Sequence, residues 1–211
     1  VKKTKINLEV KILSKKIRVI LVTDGDRVAQ HVVEEMATSL GLRCISASGG
    51  NPTPISGQEI VTLLKQVHHD PVLVMFDDKG SRHKGNGEVA MEYVASHPDI
   101  EVLGAVAVAS NTTGIAGIAT DECITSGGDI VNNRSVDKNG AIKGGHNNKS
   151  IITGDTVDVL NDVEIPFIVG IGDIGKMDRA DDISRGAPIT RKAIEEILKR
   201  SGIEYGRTRE N

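Results

Sequence analysis

The sequence predicts an α/β fold, a three-layer, mostly parallel Rossmann-like or Toprim-like sheet with a small hairpin excursion. Three observations lead there. Short β-branched apolar runs alternate with segments whose apolar residues recur at helical spacing, as where IRVILVT (17–23) is followed by Val28, Val32, Val33, Met36 and Leu40. The separations between runs suit right-handed crossovers joining parallel strands covered on both faces. The runs also end in conspicuously polar residues, at the edge where open α/β sheets bind ligands.

The elements follow in chain order. After the first strand and helix, which stops at Gly41, RCISAS (43–48) reads as a second strand and GGNPTPIS as a loop. Ser56 caps a helix over 57–67, with Glu59 at the capping-box position and Ile60, Leu63, Leu64 and Val67 as its apolar stripe. Pro71 opens a third strand, VLVMF, which runs into Asp77 and Asp78. A glycine-rich loop precedes a helix near 87–96, and IEVLGAVAVAS (100–110) is a long apolar strand. From 111 to 150 the text turns rich in Gly, Asn, Ser and Thr, with an Asn-Gly turn signal at 139–140, and reads as a loop and hairpin. A short helix is expected after Asp155, then a strand over 165–172, a polar loop, and a terminal helix opened by Pro188 and closed by Gly202. The expected organisation is a basic extension over 1–16, one α/β domain over 17–202 and a tail over 203–211.

Composition bounds the function. A chain of 211 residues, 38% hydrophobic, can bury a real core. Its net charge of -3 supplies no basic field for nucleic acid. Cys44 and Cys123 form neither a metal spacing nor a disulfide framework, which fits a reducing compartment. No apolar run approaches the roughly 18 to 20 residues of a membrane-spanning helix. The leader VKKTKINLEVKILSKKIR mixes basic and apolar residues, leaving a peripheral contact with an anionic membrane surface open.

The chemistry concentrates at the strand ends. The first strand delivers Asp24 and Asp26, the third Asp77 and Asp78, the fourth Ser110 and Asn111, and the last Asp173. Crowded carboxylates repel unless a proton or cation intervenes, and a hard oxygen-ligated ion such as Mg²⁺ or Ca²⁺ resolves that repulsion. Asp24, Asp26, Asp77, Asp78 and Asp173 are therefore the candidate metal ligands. Taken singly, each aspartate also suits a helix cap. SGGNPT could present backbone N–H groups to an anion, which makes Gly49, Gly50 and Asn51 candidate ligand-binding residues with Ser110 and Asn111. A tight turn explains the two glycines equally well. GIGDIGK lacks P-loop spacing, and His68, His69, His83, His97 and His146 lie scattered.

Two catalytic patterns claim the same acids. DGDRV after an apolar strand resembles the opening motif of haloacid-dehalogenase-type phosphatases, with Asp24 as nucleophile and Asp26 as acid/base. Ser110, Asp173 and Asp178 loosely match that family's later motifs. Such a site makes a phosphoaspartate with Mg²⁺ offsetting the charge, and needs a lysine for which Lys143 or Lys149 would have to serve. The other pattern is a Toprim-like acidic cluster, from which the chain departs by carrying Asp24 where Glu is expected.

Longer phrases carry a more specific resemblance. ILVTDGD, CISASGGNPTPISGQE, HDPVLVMFDDKG, HPDIEVLGAVAVASNT, GDTVDVL and VGIGDIGKMDRADD followed by RGAPITRKAIEEILKRSG resemble the soluble stage V sporulation protein AE family of spore-forming Firmicutes, over about 17–202. The resemblance implies an accessory role beside the membrane proteins that move dipicolinic acid and Ca²⁺, in the developing forespore and spore. It implies a protein that is soluble or peripheral at the inner membrane, with those channel proteins as partners and a homo-oligomer left open; the enzyme question stays open, with the loop-like setting of Lys143 and Lys149 weighing against catalysis. It assigns no chemistry to any residue.

Overall fold

The computed structural model describes residues 15–79, 84–111, 116–143 and 150–205. In chain order its elements are β1 (Ile17–Val22), α1 (Arg27–Ser39), β2 (Arg43–Cys44), α2 (Gly57–Leu64), β3 (Val72–Met75), α3 (Asn86–Ala95), β4 (Ile100–Val108), β5 (Ile118–Ala119), β6 (Glu122–Ile124), β7 (Ile130–Val131), β8 (Ile151–Ile152), β9 (Ile168–Ile171) and α4 (Pro188–Arg200). Seven strands form one sheet in the order β2-β3-β1-β4-β9-β6-β7, parallel except for β7, which runs antiparallel to β6. β5 and β8 form a separate antiparallel pair.

The pleat explains the layers. Successive side chains of a strand point to opposite faces. Ile20 and Val22 of β1 accordingly join the cluster that holds α1 and α4, with Val33, Met36, Ile194 and Leu198. Val19 and Leu21 join the other cluster, where Ile60 and Leu64 of α2 meet Met91 and Val94 of α3. Burial on both faces is why these strands read as continuous apolar runs.

Each helix starts where the sequence expects it. Asp26 caps α1, accepting the N–H groups of Val28 and Ala29 at 2.8 and 3.0 Å. Ser56 and Glu59 form a complete capping box on α2. Pro188 opens α4, whose orphan donors are satisfied by a residue of the preceding loop: Asp181, fully buried, accepts Ile189 N–H at 2.8 Å and Thr190 N–H at 3.0 Å.

Three elements differ from the sequence reading. The second strand stops at Cys44 and gives way to a 3-10 turn over Ser46–Ser48. The expected helix after Asp155 is one 3-10 turn, Asp158–Asn161. The 111–150 region does more than loop out, since β6 and β7 extend the main sheet beyond β9. The hairpin around Asn139 and Gly140 is present, as a bridge between Val136 and Ile142 with Gly140 at φ +73°.

At the carboxyl edge, side-chain hydroxyls take over from the ladder. Thr23 Oγ1 accepts Val108 N–H at 2.9 Å, Ser48 Oγ accepts Met75 N–H at 3.0 Å, and Thr53 Oγ1 accepts Asp77 N–H at 2.9 Å. Each satisfies a buried donor that would otherwise be orphaned. Replacing fully buried Ser48 with Ala should therefore cost about 1–3 kcal/mol of unfolding free energy, the usual penalty for an unsatisfied buried amide. Denaturant unfolding measures it, and a loss below a few tenths of a kcal/mol would show that the Met75 amide does not depend on this hydroxyl.

Candidate functional site

β1 lies between β3 and β4, and its helix crosses toward β2 while the chain after β4 moves toward β9. The strand order reverses direction at β1 and β4, and open parallel sheets form ligand crevices outside such a point. A cavity of about 230 Å³ lies there, with five aspartates and two lysines among its lining residues.

Asp24 is the innermost acid. It follows Thr23 at the tip of β1, is 9% exposed, and among the described residues accepts one hydrogen bond, from Asp26 N–H to Oδ1 at a long 3.3 Å. Burial, then the charges of Asp26, Asp77 and Asp173, push its carboxyl up to about 8. Gly25 is fixed by close approach, because a Cβ there would stand 2.9 Å from Gly50 O. Gly50 in turn donates its N–H to Gly25 O at 2.7 Å. The turn at 49–51 is thus stitched to the tip of β1. Of its three candidate residues only Asn51 lines the cavity.

Asp77 and Asp78 separate as the period of a strand requires. Asp77 enters the cavity, accepts Lys79 N–H at 2.9 Å, and is pushed up to about 6, chiefly by burial. Asp78 turns the other way and caps α3 through the N–H groups of Gly87 and Glu88, at 2.6 and 2.8 Å. Burial raises its carboxyl while those two donors hold it down. For Asp78 the capping alternative describes the geometry.

Asp26 and Asp173 meet through a residue that sequence reasoning passed over. Lys176 donates from Nζ to Asp26 Oδ2 at 2.8 Å and to Asp173 Oδ1 at 3.0 Å. Burial opposes the charge of Asp26, but the Lys176 ammonium and the Ala29 and Val28 amides hold its carboxyl below the usual range. Burial likewise opposes the charge of Lys176, and its two carboxylate partners raise its pKa in spite of that. The loop that carries Lys176 is anchored by Asp181, whose Oδ2 accepts Gly175 N–H at 2.9 Å.

The remaining wall comes from two directions. Ser110, after β4, donates to Asp155 Oδ1 at 2.5 Å, and Asn111 lies beside it. Lys138 arrives from the hairpin, because Asp173 N–H donates to Lys138 O at 2.8 Å and Gly172 leaves room for that contact. A Cβ at Gly172 would stand 2.7 Å from Lys138 O. The signal for Lys176 was a basic residue three positions past a strand-tip acid, while Lys138 and Asp155 carried no local signal.

Some sequence candidates lie elsewhere. Gly49 and Gly50 do not line the cavity, nor does exposed Asp178. Lys143, though described, is no wall residue. Lys149, His83, His146 and the leader through residue 14 fall outside the described residues. Among the described residues no three His, Cys, Asp or Glu side chains converge closely enough to hold a metal as they stand. The acids are gathered, but an ammonium stands between two of them.

A family model described as stage V sporulation protein AE1 matches residues 18–201. The chain belongs to this family. Membership gives the protein a role in sporulation and places that role in the forespore or spore. No curated protein and no solved structure gives a match. Among the described residues no helix is long and apolar enough to cross a membrane. The family match spans every residue of the cavity wall and, but for Ile17, every strand of the main sheet.

The state of Asp24 makes a pH prediction. Its folded pKa, about 8, lies above its ordinary value of 3.8, so between those limits the native state holds a proton that the unfolded chain releases. Stability contributed through this group is therefore intact below about pH 4 and falls as pH rises toward 8, with a slope of at most about 1.4 kcal/mol for each pH unit crossed. Asp24→Asn removes the titration. Its melting temperature should exceed that of the wild type by a margin that widens from pH 5 to pH 9, and a constant margin would show that Asp24 ionises normally.

Proposed function

We propose that this protein is a soluble, non-catalytic accessory of dipicolinic acid and Ca²⁺ movement across the spore inner membrane, and that the strand-tip cavity binds the ion or its chelate. The channel proteins of that membrane would be its partners. The observation that carries this reading is the company the acids keep at the cavity, where Lys138, Lys176 and Asn111 share the wall with Asp24 and Asp77. The mixed wall supports the ligand class: carboxyls on β1 and β3 face a cation, whereas Lys138 and Asn111 can receive a carboxylate.

Calorimetric titration with Ca²⁺, with dipicolinate and with their equimolar chelate tests the reading directly. Ca²⁺ or the chelate should bind, and a combined Asp24→Ala and Asp77→Ala variant should weaken that binding at least tenfold while remaining folded. Spores carrying the variant should contain less dipicolinate or release it abnormally at germination. Normal content and release from a folded double variant would overturn the proposal.

One observation favours a second reading. Lys176 stands beside Asp26 and Asp173, where a haloacid-dehalogenase-like phosphatase would need the lysine that Lys143 or Lys149 was expected to provide. In that case purified protein should hydrolyse small phosphomonoesters with Mg²⁺, and Asp24→Asn should abolish turnover because an amide cannot form the acyl phosphate. Absence of Mg²⁺-dependent release across a broad phosphate panel would exclude it.

A further inference from the structure

Three successive residues in the loop after β9, Met177, Asp178 and Arg179, hold φ angles of 46°, 51° and 72°. L-residues other than glycine enter this left-handed region at a cost, and as single residues rather than in runs. Asp178, in the middle, is exposed, and among the described residues its carboxylate makes no hydrogen bond that would offset the cost. The bonds that close the turn are uneven. Ala180 N–H reaches Met177 O at 2.9 Å, whereas Asp181 N–H reaches Lys176 O, and Asp182 N–H reaches Arg179 O, only at 3.4 Å. Both ends of the turn are fixed. Gly175 donates to Asp181 Oδ2 and lies so close to α1 that a Cβ would stand 2.7 Å from Val28 Cγ1. Beyond the turn, Asp181 is bound into the first turn of α4. Between these anchors, Lys176 bridges the tips of two strands: Asp26 follows β1, Asp173 follows β9, and β4 lies between them. Ala109, Ser110 and Asn111, past the end of β4, line the same cavity as the bridge.

We propose that residues 175–180 form a strained strap across the cavity: the left-handed turn stores backbone strain, the two Lys176 ion pairs hold it in place, and breaking them lets the turn relax and swings Lys176 off the rim. The inference goes beyond the ligand reading, since it concerns how the crevice opens and holds for any solute that enters. The balance is a fine one. Ion pairs whose partners are 40% and 30% exposed contribute little each, so the strain they restrain is comparable with what they supply. The side chain of Lys176 already meets solvent, and the anchors at Gly175 and Asp181 confine the movement to the turn between them.

Thermal unfolding of the full chain in a double-mutant cycle tests the coupling. Glycine adopts the φ of Asp178 without strain, so Asp178→Gly should raise the melting temperature by about 2–4 °C. Asp178→Ser removes the charge but keeps a Cβ, and should show no such gain. Lys176→Met removes the bridge and lets the turn relax, so in that background the gain from Asp178→Gly should shrink to about half or less. An equal gain in both backgrounds would show that the core, not Lys176, holds the turn. Absence of any gain, or the same gain from serine, would show that no strain is stored at Asp178. Either result overturns the strap. Amide hydrogen exchange of the wild type gives a readout that depends on no variant. Raising salt from about 0.1 M to about 1 M shortens electrostatic reach from about 10 to about 3 Å. Exchange at Ala180, whose N–H closes the turn, should then quicken about threefold or more relative to Ile189, which Asp181 holds. An Ala180 amide that keeps pace with Ile189 at both salt concentrations would likewise overturn the proposal.

Discussion

The structure depends on a single constraint, that β1 is hydrogen-bonded in parallel on both sides, to β3 and to β4. Parallel neighbours deliver their carboxyl ends to the same edge, so whatever follows one strand must stand beside whatever follows the next. Both faces of β1 are covered, which drives its residues toward complete burial and carries that burial two residues past the strand to Asp24. The unusual state of this carboxyl is thus a consequence of topology. An acid at the tip of an edge strand would have met water.

A second buried carboxyl has the opposite character. Asp181 accepts Gly175, Ile189 and Thr190 N–H groups and the Thr190 hydroxyl at 2.6 Å, so four donors compensate its desolvation. It joins the loop carrying Lys176 to the first turn of α4, and α4 packs across the same face of the sheet as α1. The flexible Lys176 cation is therefore fastened to the core through a carboxylate that is itself rigid. Asp24 and Asp181 show what burial does to aspartate: with donors it becomes an anchor, and without them it becomes a reluctant acid.

The sheet's central strands, the helix starts and the acids at the strand tips were legible in the sequence because each depends on residues close in the chain. Ser56 and Glu59 are three apart, and Asp24 follows its strand directly. β6 and β7 were not legible, since two or three residues are too few to show a period and their place is set by pairing with β9. Asp77 and Asp78 show the limit within a single dipeptide: sequence places both at an edge, and only the pleat decides that one enters the cavity while its neighbour caps a helix. Lys138 and Asp155 reach the wall through contacts distant in sequence, which no local pattern encodes. Lys176 was discoverable in principle, but a lysine in a polar loop carries little information until its partners are positioned.

The hydroxyl of Thr23 has a geometric consequence for the cavity. Thr23 receives the Val108 amide on a side-chain oxygen where an uninterrupted ladder would use a peptide carbonyl. A carbonyl acceptor holds two chains at the ladder spacing of about 4.8 Å. A hydroxyl adds the reach of its own side chain, so β1 and β4 can splay at their tips while every amide stays satisfied. The Thr23 side chain is thus a hydrogen-bonding spacer, one residue long, set in the wall of the crevice.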